Sequence, residues 1–196
     1  MRIVGGQHKG KRLKVSKKGL RPTKSIVREA IFDILSKGIN NADVLDIFAG
    51  SGALGLEALS RGAKSCVFIE KTPKTLIKNI NNTSSNSKIK IQVIKDDFRM
   101  GLKRFRKTKF DIIFLDPPYY KNYINKAIKL LVRYNLLKEN TVIVAEHHSD
   151  EELILPDGLL VLKKKYYGDT AITFIVQNQN ADYVGSKISA VSALLL

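Results

Sequence analysis

Short apolar runs alternate with amphipathic stretches along most of this chain. Runs of Val, Ile, Leu and Phe predict strands, whereas apolar residues spaced three or four positions apart predict helices. From residue 44 onwards the two patterns take turns. The predicted strands are Val44–Phe48, Ser65–Glu70, Ile89–Ile94, Asp111–Leu115, Thr141–Ala145, Leu159–Tyr166 and Ala171–Gln177, and the predicted helices are Ser25–Lys37, Ala53–Arg61, Thr72–Asn82, Phe98–Arg106 and Tyr123–Asn135.

This alternation predicts the fold class. Crossover helices cover both faces of a parallel sheet, so its strands read as continuous apolar runs. We therefore expect an α/β, Rossmann-like fold with a seven-stranded, mostly parallel sheet and helices on both faces. The last two strands flank the turn Gly168-Asp169 and should add an antiparallel hairpin at one edge.

The two ends of the chain depart from this pattern. Residues 1–24 contain nine basic residues, no acidic residue and four glycines, with apolar residues between the charges. This mixture favours a small structured arm, such as a hairpin, over a solvated tail. We expect residues 25–177 to form the main domain, and we assign no role to the tail 178–196.

Charge narrows the class of partner. The 196 residues include 34 Lys and Arg against 18 Asp and Glu, a formal charge of +16, which points to a polyanionic partner. A single cysteine, Cys66, forms no internal disulfide, and no stretch is long and apolar enough to span a membrane. The composition excludes disordered, collagen-like and disulfide-stapled chains, and we expect a cytoplasmic protein.

A glycine-rich loop follows the first strand of the main domain. Gly50, Gly52 and Gly55 allow a sharp turn and close approach to a ligand. Glu70, at the end of the next strand, is placed to accept hydrogen bonds from ribose hydroxyls. The spacing fits S-adenosylmethionine, a nicotinamide or flavin cofactor, or a turn without a ligand. Asp46 favours S-adenosylmethionine, because a carboxylate repels a pyrophosphate and attracts an ammonium or sulfonium group.

A second acidic position follows the third strand. The carboxylate of Asp97 could accept from an adenine amino group while Phe98 covers the ring, or Asp97 could simply cap the next helix. The predicted cofactor contacts are Asp46, Phe48, Ala49, Gly50, Ser51, Gly52, Glu70, Lys71, Asp97, Phe98 and Asp116.

The most specific feature is Asp116-Pro117-Pro118-Tyr119, directly after the fourth strand. The two prolines stiffen the loop, so the Asp116 carboxylate and the Pro117 carbonyl can accept both N–H groups of an exocyclic base amine. Tyr119 offers a face on which the base can stack. These contacts would orient the nitrogen lone pair towards a methyl group. All four residues of the loop, Asp116, Pro117, Pro118 and Tyr119, are therefore catalytic candidates. We expect Tyr120 and Tyr123 to pack or to lie at the rim.

These motifs together resemble the RsmD family of 16S rRNA guanine-N2 methyltransferases. The resemblance covers about residues 2–176. It is carried by Arg2–Gly6, Lys9–Leu13, Arg21–Thr23, Val27–Phe32, Asp46–Gly52, Asp116–Tyr119 and Tyr167–Thr170.

The resemblance implies a class I methyltransferase with strand order 3-2-1-4-5-7-6 that uses S-adenosylmethionine. It implies methylation of one guanine N2 in small-subunit rRNA, as in enzymes specific for guanine 966, within a 30S particle or an assembly intermediate. It also implies that the arm helps to bind rRNA. The predicted substrate contacts are Arg2, Lys9, Lys11, Arg12, Arg21, Thr23 and Tyr119.

Three other functions stay open at this point. The same loop chemistry serves a DNA adenine-N6 methyltransferase, and a methyltransferase fold can act as a non-catalytic RNA-binding or assembly protein. The glycine loop alone also fits a nicotinamide oxidoreductase. His147 and His148 lack the spacing of metal ligands, so we expect no metal site, and we expect a monomer.

Overall fold

The computed structural model describes residues 1–15, 25–83, 89–106 and 108–178. Its centre is a seven-stranded sheet in the order β3-β2-β1-β4-β5-β7-β6, which confirms the predicted fold class and strand order. The strands are β1 Asp43–Ile47, β2 Ser65–Ile69, β3 Lys90–Ile94, β4 Phe110–Leu115, β5 Leu137–His148, β6 Leu159–Tyr167 and β7 Thr170–Gln177. The helices are α1 Ser25–Leu35, α2 Ala53–Ser60, α3 Lys74–Thr83, α4 Phe98–Lys103 and α5 Tyr123–Arg133.

Five neighbouring strands run parallel, and the last two strands form an antiparallel hairpin that completes one side of the open sheet. Strands β3, β2, β1, β4 and β5 pair in parallel, whereas β7 runs antiparallel to both β5 and β6. Each parallel crossover carries helical structure that covers a face of the sheet. The carboxyl ends of the five parallel strands therefore lie along one edge of the sheet.

The apolar side chains divide into two buried clusters, one on each face of the sheet. Alternate strand residues point to opposite faces, so Val44 joins one cluster and Leu45 the other. The first cluster packs against α1, α2 and α3, and the second packs against α4 and α5. The result is a three-layer arrangement in which the central strands are covered on both sides.

Strand β5 is longer than its apolar run predicts. The sequence predicts a strand only over 141–145, but the polar residues Glu146, His147 and His148 continue it by pairing with β7. Pairing with a distant strand satisfies their backbone groups, and the local pattern carries no signal of it. Helix α4 is shorter than predicted and ends at Lys103.

Residues 1–15 pack onto the main domain. Ile3 and Leu13 are 2% and 4% exposed and belong to the first core cluster. Arg2 and Arg12 form an antiparallel bridge, as expected for a hairpin-like element. The buried carboxylate of Glu57 accepts hydrogen bonds from the N–H groups of Val4 (2.8 Å) and Gly5 (2.7 Å). The described part of this segment is thus a structured element attached to α2.

Candidate active site

The glycine loop and the Asp116–Tyr119 loop start next to each other. Ile47 ends β1 and Leu115 ends β4, and these two residues are register partners in neighbouring parallel strands. Neighbouring strands lie about 4.8 Å apart, so the two loops leave the sheet side by side. Ile47 is also the partner of Ile69, after which Glu70 follows. The site candidates that follow β1, β2 and β4 therefore share one edge of the sheet.

The glycines of the first loop serve different purposes. Gly50 and Gly52 have positive φ angles of +56° and +79°, a conformation that favours glycine. A Cβ on Gly50 would meet only the Phe48 carbonyl oxygen at 3.8 Å, so the loop is open at this point. A Cβ on Gly55 would lie 2.3 Å from the ring of Phe68, so this glycine lets α2 pack against β2.

Asp46 lies beneath the loop and holds the start of α2. Its side chain is 2% exposed, and Oδ2 accepts a hydrogen bond from the Gly55 N–H at 2.9 Å. Burial raises the pKa of Asp46 to about 7. The electrostatic preference for S-adenosylmethionine requires a charged Asp46 carboxylate. Desolvation disfavours this charged form, so burial weakens that preference.

Glu70 connects the glycine loop with the start of the next helix. Its Oε2 accepts from the Gly50 N–H at 2.9 Å, and its Oε1 accepts from the N–H of Thr72 at 2.9 Å and from the Thr72 hydroxyl at 3.2 Å. The half-buried carboxylate is therefore fixed at the strand edge, next to the open Gly50.

Asp97 caps α4 and also forms ion pairs. Its Oδ1 accepts from the Arg99 N–H at 3.0 Å, so the helix-capping alternative is present in the structure. Lys71 Nζ lies 2.8 Å from its Oδ2, and Arg99 Nε lies 2.7 Å from its Oδ1. Hydrogen bonds from Arg99 and Lys71 hold the pKa of Asp97 well below its usual range. A contact between Asp97 and adenine stays a prediction.

Three aromatic rings line the edge between these acidic positions and the proline loop. The Phe48 ring lies 4.8 Å from that of Phe98 and 5.9 Å from that of Tyr123, the latter nearly parallel at 7°. Phe48 has a φ of +66°, an uncommon conformation for a bulky residue. The sequence predicted Phe48 and Phe98 as cofactor contacts, and Tyr123, which was expected to pack or to lie at the rim, packs against both rings.

The proline loop is fixed from both ends. Pro117 is buried and Asp116 is half-buried. The Tyr119 hydroxyl lies 3.1 Å from the Thr170 hydroxyl at the start of β7. The Tyr119 ring meets the Tyr120 ring at 89°, with the centroids 6.5 Å apart. Strand β7 thus helps to hold the predicted stacking residue in place.

The turn of the N-terminal segment lies at the far ends of α2 and α3. The His8 N–H donates to the Ser60 hydroxyl at the last position of α2 (2.9 Å), and Lys11 Nζ donates to the Thr83 carbonyl at the end of α3 (3.2 Å). Both helix ends lie away from the strand ends that carry the site. Lys9 and Arg12 are exposed, as is Arg2, whose Nη1 donates to the Gly10 carbonyl at 3.0 Å. The predicted contacts Arg21 and Thr23 lie outside the described residues.

The histidines of β5 take part in the packing of the hairpin. His147 is fully buried, with Nε2 2.9 Å from the Thr173 hydroxyl and Nδ1 2.7 Å from the His148 carbonyl. Burial lowers the pKa of His147. Within residues 1–15, 25–83, 89–106 and 108–178, no three His, Cys, Asp or Glu side chains converge as metal ligands would. The same residues contain no helix that is long and apolar enough to cross a bilayer.

Comparison with known proteins identifies the family to which this chain belongs. A family described as "Conserved hypothetical protein 95" matches residues 1–176. The "Ribosomal RNA small subunit methyltransferase D" of Haemophilus influenzae is 40% identical over 172 residues, which cover 86% of this chain and 89% of the relative. The protein of the same name from Escherichia coli K12 is 35% identical and covers 87% of both chains. The chain belongs to the RsmD family.

Solved structures agree with this family membership. A putative methyltransferase from Escherichia coli is 34% identical, with a TM-score of 0.79, and the match covers 90% of this chain and 97% of that one. A putative S-adenosylmethionine-dependent methyltransferase from Streptococcus mutans has a TM-score of 0.63 at 17% identity. The second likeness is one of fold alone. The RsmD resemblance that the sequence motifs indicated is thus confirmed.

Proposed function

We propose that the protein transfers a methyl group from S-adenosylmethionine to the exocyclic N2 of one guanine in small-subunit rRNA. The observation that carries this proposal is the register pairing of Ile47 with Leu115. It sets a glycine loop suited to the methyl donor beside a loop suited to a base amine. The names of the RsmD relatives support rRNA as the substrate.

The residues at the edge of the sheet fit S-adenosylmethionine. The space around Gly50 is open, which leaves room for the methionine part beside Gly50 and Ser51. Gly52 supports this turn, because a Cβ there would lie 2.4 Å from the Leu76 side chain. Glu70, at the edge beside Gly50, would accept from the ribose hydroxyls, and Asp97 with Phe98 would contact the adenine. When bound, the donor supplies an electrophilic methyl group on a sulfonium.

The proline loop would hold the accepting amine. The Asp116 carboxylate and the Pro117 carbonyl would accept its two N–H groups, and Tyr119 would stack on the base. The amine lone pair is normally delocalised into the ring, so two acceptors favour a tetrahedral nitrogen whose lone pair faces the methyl group. Nitrogen gains positive charge as its bond to the methyl carbon forms and the bond from that carbon to the donor sulfur breaks, which leaves a neutral thioether. Asp116 would stabilise this charge and then take the proton.

The choice of guanine in rRNA rests on the family. Adenine N6 would fit the same pair of acceptors, but the RsmD relatives act, by name, on ribosomal RNA. A charge of +16 suits a nucleic acid of either kind. We further propose that the protein acts as a monomer in the cytoplasm, on a 30S particle or an assembly intermediate.

Methyl transfer to small ribosomal subunits that lack the modification tests the proposal. We expect mass mapping of the rRNA to show one new N2-methylguanine after incubation with the protein and S-adenosylmethionine. Asp116→Ala should lower kcat/KM at least about tenfold, which corresponds to about 1.4 kcal/mol of transition-state stabilisation. Asp157→Ala, at an exposed carboxylate in a distant turn, is the matched control.

Three results would contradict the proposal. Transfer to duplex DNA and not to rRNA would favour an adenine-N6 methyltransferase. Absence of S-adenosylmethionine binding in calorimetry would favour a non-catalytic assembly protein. Full activity of Asp116→Ala would show that the proline loop does not hold the amine.

A further inference from the structure

We propose that Tyr120 and His148 form a second base-stacking surface, which holds a nucleobase adjacent to the target guanine. This inference rests on the proposed function, since it assigns a second contact to the same RNA substrate. It differs from the first because Tyr119, and not Tyr120, is the stacking residue of the proline loop.

The exposed ring of Tyr120 lies against the half-buried ring of His148, next to the catalytic loop. Tyr120 is 66% exposed, and its ring centroid lies 5.0 Å from that of His148. Because the rings of Tyr119 and Tyr120 are perpendicular, one base cannot lie flat on both. A base stacked on Tyr119 therefore leaves the face of Tyr120 available to another base.

One carboxylate holds both members of this surface. Glu151 Oε1 accepts from the Tyr120 N–H at 2.8 Å, and Glu151 Oε2 accepts from the His148 N–H at 3.1 Å. Tyr120 has a φ of +60°, which is unfavourable for a bulky residue. Glu151 thus stabilises the strained backbone of Tyr120. The Tyr120 ring points largely into solvent and contributes little to the core.

The charges around Tyr120 favour a base over a phosphate. Partial desolvation of the Tyr120 hydroxyl raises its pKa, and the nearby carboxylates of Asp150, Glu151 and Asp169 raise it further. Negative charge here would repel the RNA backbone, whereas a neutral base has no such penalty and gains from stacking. Tyr120 also lines a cavity of about 240 Å³, together with Asn122 and Asn125.

Tyr120→Ala tests the stacking surface. Loss of one stacked base should raise the KM for the RNA substrate, and its Kd in a direct binding measurement, at least about fivefold. Tyr120→Phe keeps the stacking face and should stay within about twofold of the wild type. The KM for S-adenosylmethionine should not change in either variant. An unchanged value would show that the fold of the donor site is intact.

Two further variants separate the surface from its support. Glu151→Ala should weaken RNA binding in the same direction as Tyr120→Ala, while Asp157→Ala, at an exposed carboxylate outside this surface, should not. Tyr134→Ala removes a tyrosine just after α5, beyond the opposite edge of the sheet, and should leave RNA affinity unchanged.

The outcomes distinguish this inference from the proposed function. Unchanged RNA affinity and KM in a folded Tyr120→Ala protein would overturn the stacking surface, even if the wild type methylates rRNA. A wild type that binds rRNA but transfers no methyl group would overturn the proposed function. In that case the direct binding measurement still decides whether Tyr120 contacts the RNA.

Discussion

Asn79 holds the main chain of Lys14 with both ends of its side-chain amide. The Lys14 N–H donates to Asn79 Oδ1 at 2.8 Å, and Asn79 Nδ2 donates to the Lys14 carbonyl at 2.9 Å. The same Nδ2 donates to the Ser51 carbonyl in the glycine loop at 2.8 Å. Asn79 is fully buried. One amide therefore connects the basic N-terminal segment to the loop proposed to hold the methyl donor.

We expect Asn79→Ala to weaken both folding and donor binding. The substitution leaves partly buried backbone groups of Lys14 and Ser51 without this partner, so the free energy of unfolding should fall by about 1–3 kcal/mol. The KM for S-adenosylmethionine should rise, because the Ser51 carbonyl loses its anchor. Asn81→Ala, exposed on the same helix, is the control. An unchanged KM in a folded Asn79→Ala protein would show that the glycine loop does not depend on this contact.

Asp46→Asn should change how stability depends on pH. The pKa of Asp46 is about 7 in the folded protein and 3.8 in the unfolded chain. Between these two pH values the folded state binds a proton that the unfolded chain releases. This stabilising contribution is complete below the unfolded pKa and is lost as pH rises through about 7. Between about pH 5 and about pH 7, the wild type should therefore lose stability relative to Asp46→Asn, by up to about 1.4 kcal/mol per pH unit.

Chemical denaturation of both proteins at several pH values measures this difference. The asparagine adds a constant cost for its buried amide, so only the slope against pH carries the result. Parallel curves for the two proteins would mean that Asp46 does not exchange a proton in this range.

Gly55→Ala should destabilise the fold through the contact between α2 and the sheet. The new Cβ would lie 2.3 Å from Phe68 and 2.7 Å from the sulfur of Cys66, and both side chains are fully buried. Overpacking costs about 1–3 kcal/mol, and alanine regains up to about 1 kcal/mol through its helix propensity. We expect a net loss of about 1–2 kcal/mol in urea unfolding. Gly38→Ala, where a Cβ meets nothing within 4 Å, should be nearly neutral.

The salt dependence of RNA binding tests the basic segment. Deleting the segment is a poor test, because Ile3 and Leu13 belong to the core. The double variant Lys9→Ala with Arg12→Ala removes only exposed charges. If both contact phosphates, the slope of log K against log salt should become shallower by about 1.4.

The matched control for this measurement is Lys126→Ala with Lys129→Ala. Both lysines are exposed on α5, on the opposite face of the sheet. An equal change in slope for the two pairs would show that the effect comes from net charge rather than from contacts of the N-terminal segment.

Some of these contacts were predictable from the sequence and others were not. The glycine loop, Glu70 and the proline loop follow apolar strands directly, so their common edge could be predicted from the alternation of elements alone. The pairing of Ile47 with Leu115 in neighbouring strands then confirmed that the two loops lie side by side. In contrast, Tyr119 meets Thr170 and Glu151 meets Tyr120 across 51 and 31 positions, and no periodic pattern records such contacts.

By itself, the sequence determined the order of strands and helices, the loops that carry chemistry and the excess of positive charge. These follow from local properties, namely apolar periodicity, turn residues and side-chain type. Only the tertiary structure decided that Asp46 is buried beneath its loop, that the N-terminal segment reaches the glycine loop through Asn79, and that Tyr120 faces solvent. Burial and hydrogen-bond partners depend on residues far away along the chain, so they are fixed when the layers pack and not before.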